Sequence, residues 1–374
     1  MELDPSSWTG STSNLGAKYA AAANYSLSRQ EPTFDFRKRT TSQALSFDGD
    51  ALWTAPVSVG TPPQIFEMYF DTASSDFSLP TASCIDASCD GKARYNWSAS
   101  ATANATSFDV ASVWTDGTSG TGLLIRDTVT IGSSKVVNQD IVAQQSTGWF
   151  VSNRNADGVG LAFPDTSAAR SRSFPFTLSN QKSAKTFSMR LSRVPGKSRI
   201  FFEGLDRSLA ASVPTFFPVA RDPDEEFKTY WQIGQSTAFV DGNQAYSGRA
   251  NFILDSGTSV IVAPPDAASE FWSAINGSRV ETSGYYSYPC EQFRLVEFNF
   301  GGSDKMFAIS LEDFNLGHLE SDSTRCLGAL VGQNLNLWDS WVVGDVFFKS
   351  WLLTFASCPS PRPSRIGITT PLSA

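Results

Sequence analysis

Two stretches of this chain, Phe70-Asp-Thr-Ala-Ser-Ser75 and Leu254-Asp-Ser-Gly-Thr-Ser259, are variants of one pattern. In each, an apolar run meets an Asp, followed by a hydroxyl residue, a small residue and two more hydroxyl residues. A second echo follows. Gly160, in Val159-Gly-Leu161, and Gly344, in Val343-Gly-Asp345, lie 89 residues beyond Asp71 and Asp255 (160 − 71 and 344 − 255). A repeat preserved in both order and spacing points to two related halves, each contributing one acidic turn and one apolar-apolar-Gly segment. A chain of 374 residues has room for two domains with separate cores. We expect a boundary near Gly204-Leu-Asp206, with residues 40–206 forming the first half, residues 207–374 the second and residues 1–39 an N-terminal extension or prosegment.

The stretches between the echoes are short β-branched and aromatic runs, such as Trp53-Thr-Ala-Pro-Val-Ser-Val59 and Thr128-Val-Thr-Ile131, punctuated by Gly, Pro, Asn and Ser. That punctuation predicts an all-β chain. Residues 1–50 are rich in Ser, Ala, Thr and Asn and carry Arg37-Lys38-Arg39, which reads either as a dibasic processing site or as a solvated charge run.

Composition removes several function classes. A net charge of −8 leaves no concentrated basic surface for nucleic acid. No apolar run reaches the length of a membrane-spanning helix. The chain has one histidine, His318, and no Gly-x-Ser-x-Gly elbow, so neither a His-based zinc site nor a Ser-His-Asp triad can be assembled convincingly. We expect no metal and no cofactor, and acid–base chemistry falls to carboxylates. Five cysteines (Cys84, Cys89, Cys290, Cys326 and Cys358) suit two bridges and one free thiol in an oxidising compartment. Asn-x-Ser/Thr sequons begin at Asn24, Asn96, Asn104 and Asn276. Together these indicate a secreted or secretory-pathway or vacuolar glycoprotein, although the polar opening Met1–Pro5 does not read as a leader and we expect one to have been removed.

An Asp at the end of an apolar strand is costly to bury unless its charge is paired, hydrogen-bonded or shared with a proton. Two in matched positions imply use. The small residues Ala73 and Gly257 let a backbone N–H approach a carboxylate oxygen. Thr72 and Ser256 can join the two turns, and Ser74 and Thr258 can donate to the outer carboxylate oxygens. If the turns face each other, one proton is shared between Asp71 and Asp255. The charged member can then activate a water while the protonated member polarises a carbonyl.

These residues resemble the pepsin-like aspartic peptidases over a span from about Trp53 to the C-terminus. Further landmarks of the resemblance are Val59-Gly-Thr-Pro-Pro-Gln64, Tyr230-Trp-Gln-Ile233 and Trp341-Val-Val-Gly-Asp-Val-Phe347. The resemblance implies a bilobal fold with a cleft between two β-barrel-like lobes, and Asp71 and Asp255 as its catalytic pair. It also implies disulfides Cys84/Cys89 and Cys290/Cys326, and a prosegment ending near Arg37-Lys38-Arg39. The family's flap corresponds to Val113–Gly122, with Trp114 or Thr115 at the position usually held by Tyr, and Gly117 and Thr118 beside it. Ser78 stands where the Tyr's Trp partner is usual, and Ala73 replaces a usual Gly. The member is divergent around its flap.

The expected function is endopeptidase action on an extended peptide at acid pH by a monomer, with Trp149 and Phe150 as further pocket walls. Two other readings are open on these residues. One applies the dyad to a small molecule, in a cyclisation or dehydration; the other keeps the cleft for binding without hydrolysis.

Overall fold

Runs that alternate apolar and polar residues for only a few positions before a Gly or Pro cannot make long helices, and this chain folds accordingly. The computed structural model describes residues 42–47, 53–85, 89–113, 119–146, 157–221, 230–292, 295–335, 337, 339–358 and 363–372. Among them, strands dominate. The helices are short: Phe174–Lys182, Pro265–Ser273, Leu311–Phe314 and Asp345–Phe348. The architecture is all-β and two-lobed, as the sequence pattern leads one to expect.

The strands of the first acidic turn lie in one sheet, whose main path runs Ser78–Pro80, Ser134–Ser146, Ser119–Ile131, Trp53–Val59, Gln64–Asp71 and Asp157–Gly160. Those of the second lie in another, which includes Gln232–Val240, Ala250–Leu254, Trp341–Val343, Ile261–Ala263 and Leu330–Gly332. A third, six-stranded sheet is shared. Its order runs Gln43–Ala44, Arg199–Phe201, Thr186–Arg190, then Leu352–Ala356, Arg365–Thr369, Thr215–Pro218. The seam of that sheet pairs Phe187 with Phe355, whose rings stack at 4.7 Å. Trp231, fully buried, packs on both Phe163 and Phe355. Its indole N–H donates to Leu161 O at 3.0 Å. The apolar core therefore runs through the shared sheet instead of stopping at its edge. Nearer the surface, Arg193 meets Asp313 at 2.9 Å and Lys349 meets the same carboxylate at 3.6 Å.

The repeat seen in sequence is a repeat in register. Gln64–Asp71 runs parallel to Asp157–Gly160 with Asp71 opposite Gly160, and Ala250–Leu254 runs parallel to Trp341–Val343 with Leu254 opposite Val343. In each half the repeat glycine then donates its N–H to the carbonyl five residues past the aspartate: Gly160 to Asp76 O at 3.0 Å, Gly344 to Val260 O at 3.1 Å. Contact this close leaves no room for a side chain. A Cβ on Gly160 would lie 2.3 Å from Ser75 C, and one on Gly344 would lie 2.1 Å from Thr258 O. These clashes are with backbone, so no rotamer change relieves them.

The disulfides that the resemblance implied are present. Cys84 bonds Cys89 and Cys290 bonds Cys326, leaving Cys358 unbridged. Both close locally, within one half.

Gly160→Ala and Gly344→Ala should each destabilise the fold by about 3 kcal/mol or more, because overpacking against backbone cannot be relieved by side-chain repacking. Denaturant unfolding checks this, with Gly196→Ala, where a Cβ meets nothing within 4 Å, as the comparison that loses stability only through its positive φ.

Candidate active site

Each acidic turn captures its own carboxylate. Asp71 and Asp255 end apolar strands and are buried, at 1% and 0% exposure. Asp71 Oδ1 accepts N–H groups from Ala73 at 2.8 Å and Ser74 at 3.1 Å, and Ser74 Oγ donates to Oδ2 at 2.9 Å. Asp255 Oδ1 accepts the Gly257 N–H at 2.8 Å, and Thr258 Oγ1 donates to Oδ2. The Ala73 methyl is buried, and its N–H contact is as short as that of Gly257 in the second turn. Donors aimed at both oxygens of a carboxylate offset the loss of its water.

The two turns are then joined by a reciprocal set of hydrogen bonds across 182 to 186 residues of sequence. Thr72 Oγ1 donates to Leu254 O at 2.8 Å and accepts the Ser256 N–H at 2.9 Å. Ser256 Oγ donates to Phe70 O at 2.8 Å and accepts the Thr72 N–H at 3.1 Å. Each hydroxyl thus reaches the residue immediately before the other turn's Asp. All four groups are buried, so no water competes for them. The geometry brings Asp71, Thr72, Ser74, Ser256, Gly257 and Thr258 together with Asp255 in one polar cluster.

Sequence reasoning missed the support behind the first turn. Ser75 Oγ engages both Phe163 O and Thr166 Oγ1. Asp76, the next residue, accepts Ser167 Oγ at 2.5 Å, the Ala168 N–H at 2.9 Å and the Ala169 N–H at 3.4 Å. Ala162 N–H and Leu161 N–H donate to Ser74 O and Asp71 O, both at 2.8 Å. The segment 161–169 therefore braces the turn from behind. The only signal available in sequence was a second carboxylate five residues after the first. Burial holds the Asp76 carboxyl above the ordinary 3.8, against the pull of its three donors. Burial likewise raises Asp165 on the same segment and Asp313 between Arg193 and Lys349.

The flap residues Trp114, Thr115, Gly117 and Thr118, and the proposed pocket walls Trp149 and Phe150, lie outside the described residues. The strands on either side of the flap residues in sequence, Asn104–Val113 and Ser119–Ile131, pair antiparallel up to Val113 opposite Ser119. Ser78 opens a short strand beside Val142. His318 sits beside the second disulfide, with Nδ1 3.4 Å from Cys290 Sγ.

Residues 53–360 match the family model for the eukaryotic aspartyl proteases. An aspartic protease of Phaffia rhodozyma is 28% identical over 343 residues, covering 89% of this chain and 80% of that one. Pepsin A of Canis lupus familiaris is 28% identical over 344 residues, covering 87% and 82%. Cathepsin D of Dictyostelium discoideum is 28% identical over 316 residues, covering 82% and 81%.

Thr72→Val keeps the shape of the side chain but strands the Ser256 N–H and Leu254 O, and should cost about 1–3 kcal/mol in denaturant unfolding. A second outcome concerns pH. Asp76, Asp165 and Asp313 have native pKa values above their unfolded ones, so folding favours their protonated forms. Their contribution is fully present below the ordinary 3.8 and is lost as pH rises through the raised native values. Thermal midpoints should therefore fall from acid toward neutral pH, and Asp76→Asn, isosteric with the protonated acid, should flatten that slope.

Proposed function

The chain belongs to the eukaryotic aspartyl protease family and is an aspartic endopeptidase, and we propose that Asp71 and Asp255 are the carboxylate pair that hydrolyses its substrates. One observation carries this reading: two buried Asp turns, each capturing its own carboxylate, are bound to one another by the Thr72 and Ser256 hydroxyls. Two carboxylates that face one substrate repel each other when both are ionised, so in this reading one proton serves the pair. The ionised member takes a proton from a water held between them as the water oxygen attacks the peptide carbonyl carbon. The protonated member donates to the carbonyl oxygen, and proton transfer to the amide nitrogen then releases the amine. The turn N–H groups and the Ser74 and Thr258 hydroxyls keep both carboxylates oriented through the cycle.

The substrate is a peptide in extended conformation, held by strand-like contacts. We read residues 40–206 and 207–374 as the two lobes, residues 1–39 as a segment outside the working enzyme, and the enzyme as a monomer. The two disulfides suit secretory or vacuolar residence. So do three exposed sequon asparagines, Asn96, Asn104 and Asn276. Among the described residues no helix is long and apolar enough to cross a membrane.

Digestion of a peptide library from acid to neutral pH tests the reading. Wild type should cleave on the acid side, and a statine-type mimic of the tetrahedral intermediate should block it. Asp71→Asn and Asp255→Asn should each lower kcat/KM by at least about a thousandfold while leaving the fold intact. Undiminished cleavage by either variant would remove that carboxylate from the mechanism.

A further inference from the structure

The shared six-stranded sheet has one face in the apolar core, through Phe187, Met189, Ile200, Leu353 and Phe355. On its other face two cations stand side by side. Arg190 pairs directly with Arg199 across antiparallel strands, and Arg199 in turn pairs with Ala44 on the edge strand. Like charges placed directly opposite one another are destabilising in a sheet. Among the described residues, the ion pairs of Arg94, Arg126, Arg193, Lys182 and Lys349 leave both of these arginines without a carboxylate.

Arg190 is the more demanding of the two. Its Nη1 is sealed from water and has no acceptor. Burial alone depresses its guanidinium, with no acidic neighbour offsetting the cost. Arg199 directs one N–H group to Ser198 O at 2.8 Å, which leaves most of its fork unspent. Two residues along from Arg190, Ser188 pairs with Thr354, so Thr354 shares this face. Its hydroxyl is also buried without a partner. Burial deepens from the sheet edge toward Thr354, which lies one cross-strand row away from Arg190, opposite Ser188. Ala44 at the sheet edge is exposed, Arg199 is half-buried and Thr354 is 1% exposed. Ala44, beside Arg199 at the sheet edge, carries only a methyl group.

We propose that this row is a binding site for an oxyanion, entered from the sheet edge past Ala44 and held by Arg190 and Arg199 with the Thr354 hydroxyl on the same face. An oxyanion supplies what the face lacks: charge between two repelling guanidiniums and acceptors for a buried N–H and a buried O–H. Carboxylate, sulfate and phosphate all present paired oxygens that match an arginine fork. The site is separate from the Asp71 and Asp255 turns, and occupation of it would stabilise the sheet that joins the two halves.

The test is thermal unfolding of the full chain in sulfate, phosphate or succinate against chloride at equal ionic strength. The wild-type midpoint should rise by a few degrees, with the rise growing with the logarithm of anion concentration. Arg190→Met and Arg199→Met should abolish the rise while leaving peptide hydrolysis unchanged. A response to sulfate and phosphate alone assigns the site to tetrahedral anions, and a response to succinate alone assigns it to carboxylates. Absence of any rise over chloride, or an equal rise in Arg190→Met, overturns the proposal. Should the arginine variants not fold, titration calorimetry with the anion that raised the wild-type midpoint decides. Thr354→Val should bind it about tenfold more weakly than wild type, and equal affinity in the two would count against the site.

Discussion

Everything specific about this molecule depends on the reciprocal bonding of Thr72 and Ser256. Each hydroxyl donates to the carbonyl just before the opposite Asp and accepts the N–H just after it. Four buried bonds at about 1 kcal/mol each contribute a modest amount to stability. Their larger effect is positional. They hold two strand ends from distant parts of the chain in a mutual alignment in which the carboxylates have no freedom to drift. Two aspartates at 1% and 0% exposure would otherwise be a liability. Here the residues that bind the turns together also complete the environment that tolerates the charge.

Behind that contact the two halves use one device with different materials. In both, a glycine on a neighbouring parallel strand presses its backbone against the acidic turn and donates to the carbonyl five residues past the Asp. The first half adds side-chain bracing, with Ser75 and Asp76 reaching the segment that follows Gly160. This bracing carries part of the pH sensitivity, the rest lying with Asp313. A carboxyl whose pKa is raised by burial favours acid conditions, so acid suits the fold, in line with the acid-side cleavage proposed for the Asp71 and Asp255 pair.

The shared sheet does for the halves what the hydroxyl pair does for the turns, but through apolar packing. Its seam, from Phe187 and Phe355 to Trp231, makes a continuous core. The opposite face mixes buried apolar residues, Phe201 and Leu352, with the Arg190–Arg199 pair, and packing does not explain two guanidiniums set across one strand pair. Arg190 and Arg199 thus separate two roles within one sheet: cohesion on the inner face, recognition on the outer.

The sequence alone determined the all-β class, the two related halves, and the two acidic turns with the hydroxyl residues that bond within and between them. Those features are legible because strand patterning and turn chemistry are local, and because a repeat compares the chain with itself. The two disulfides were legible through family resemblance. Tertiary structure alone decided that Thr72 meets Leu254, that Asp76 reaches Ser167, and that Arg190 faces Arg199. Asp76 looked like one more polar residue in a turn, and Arg190 and Arg199 like unrelated charges nine positions apart. Contacts of this kind follow from which strands become neighbours and in what register. A slip of one residue would send each side chain to the other face, and nothing within a single strand records the register of its partner.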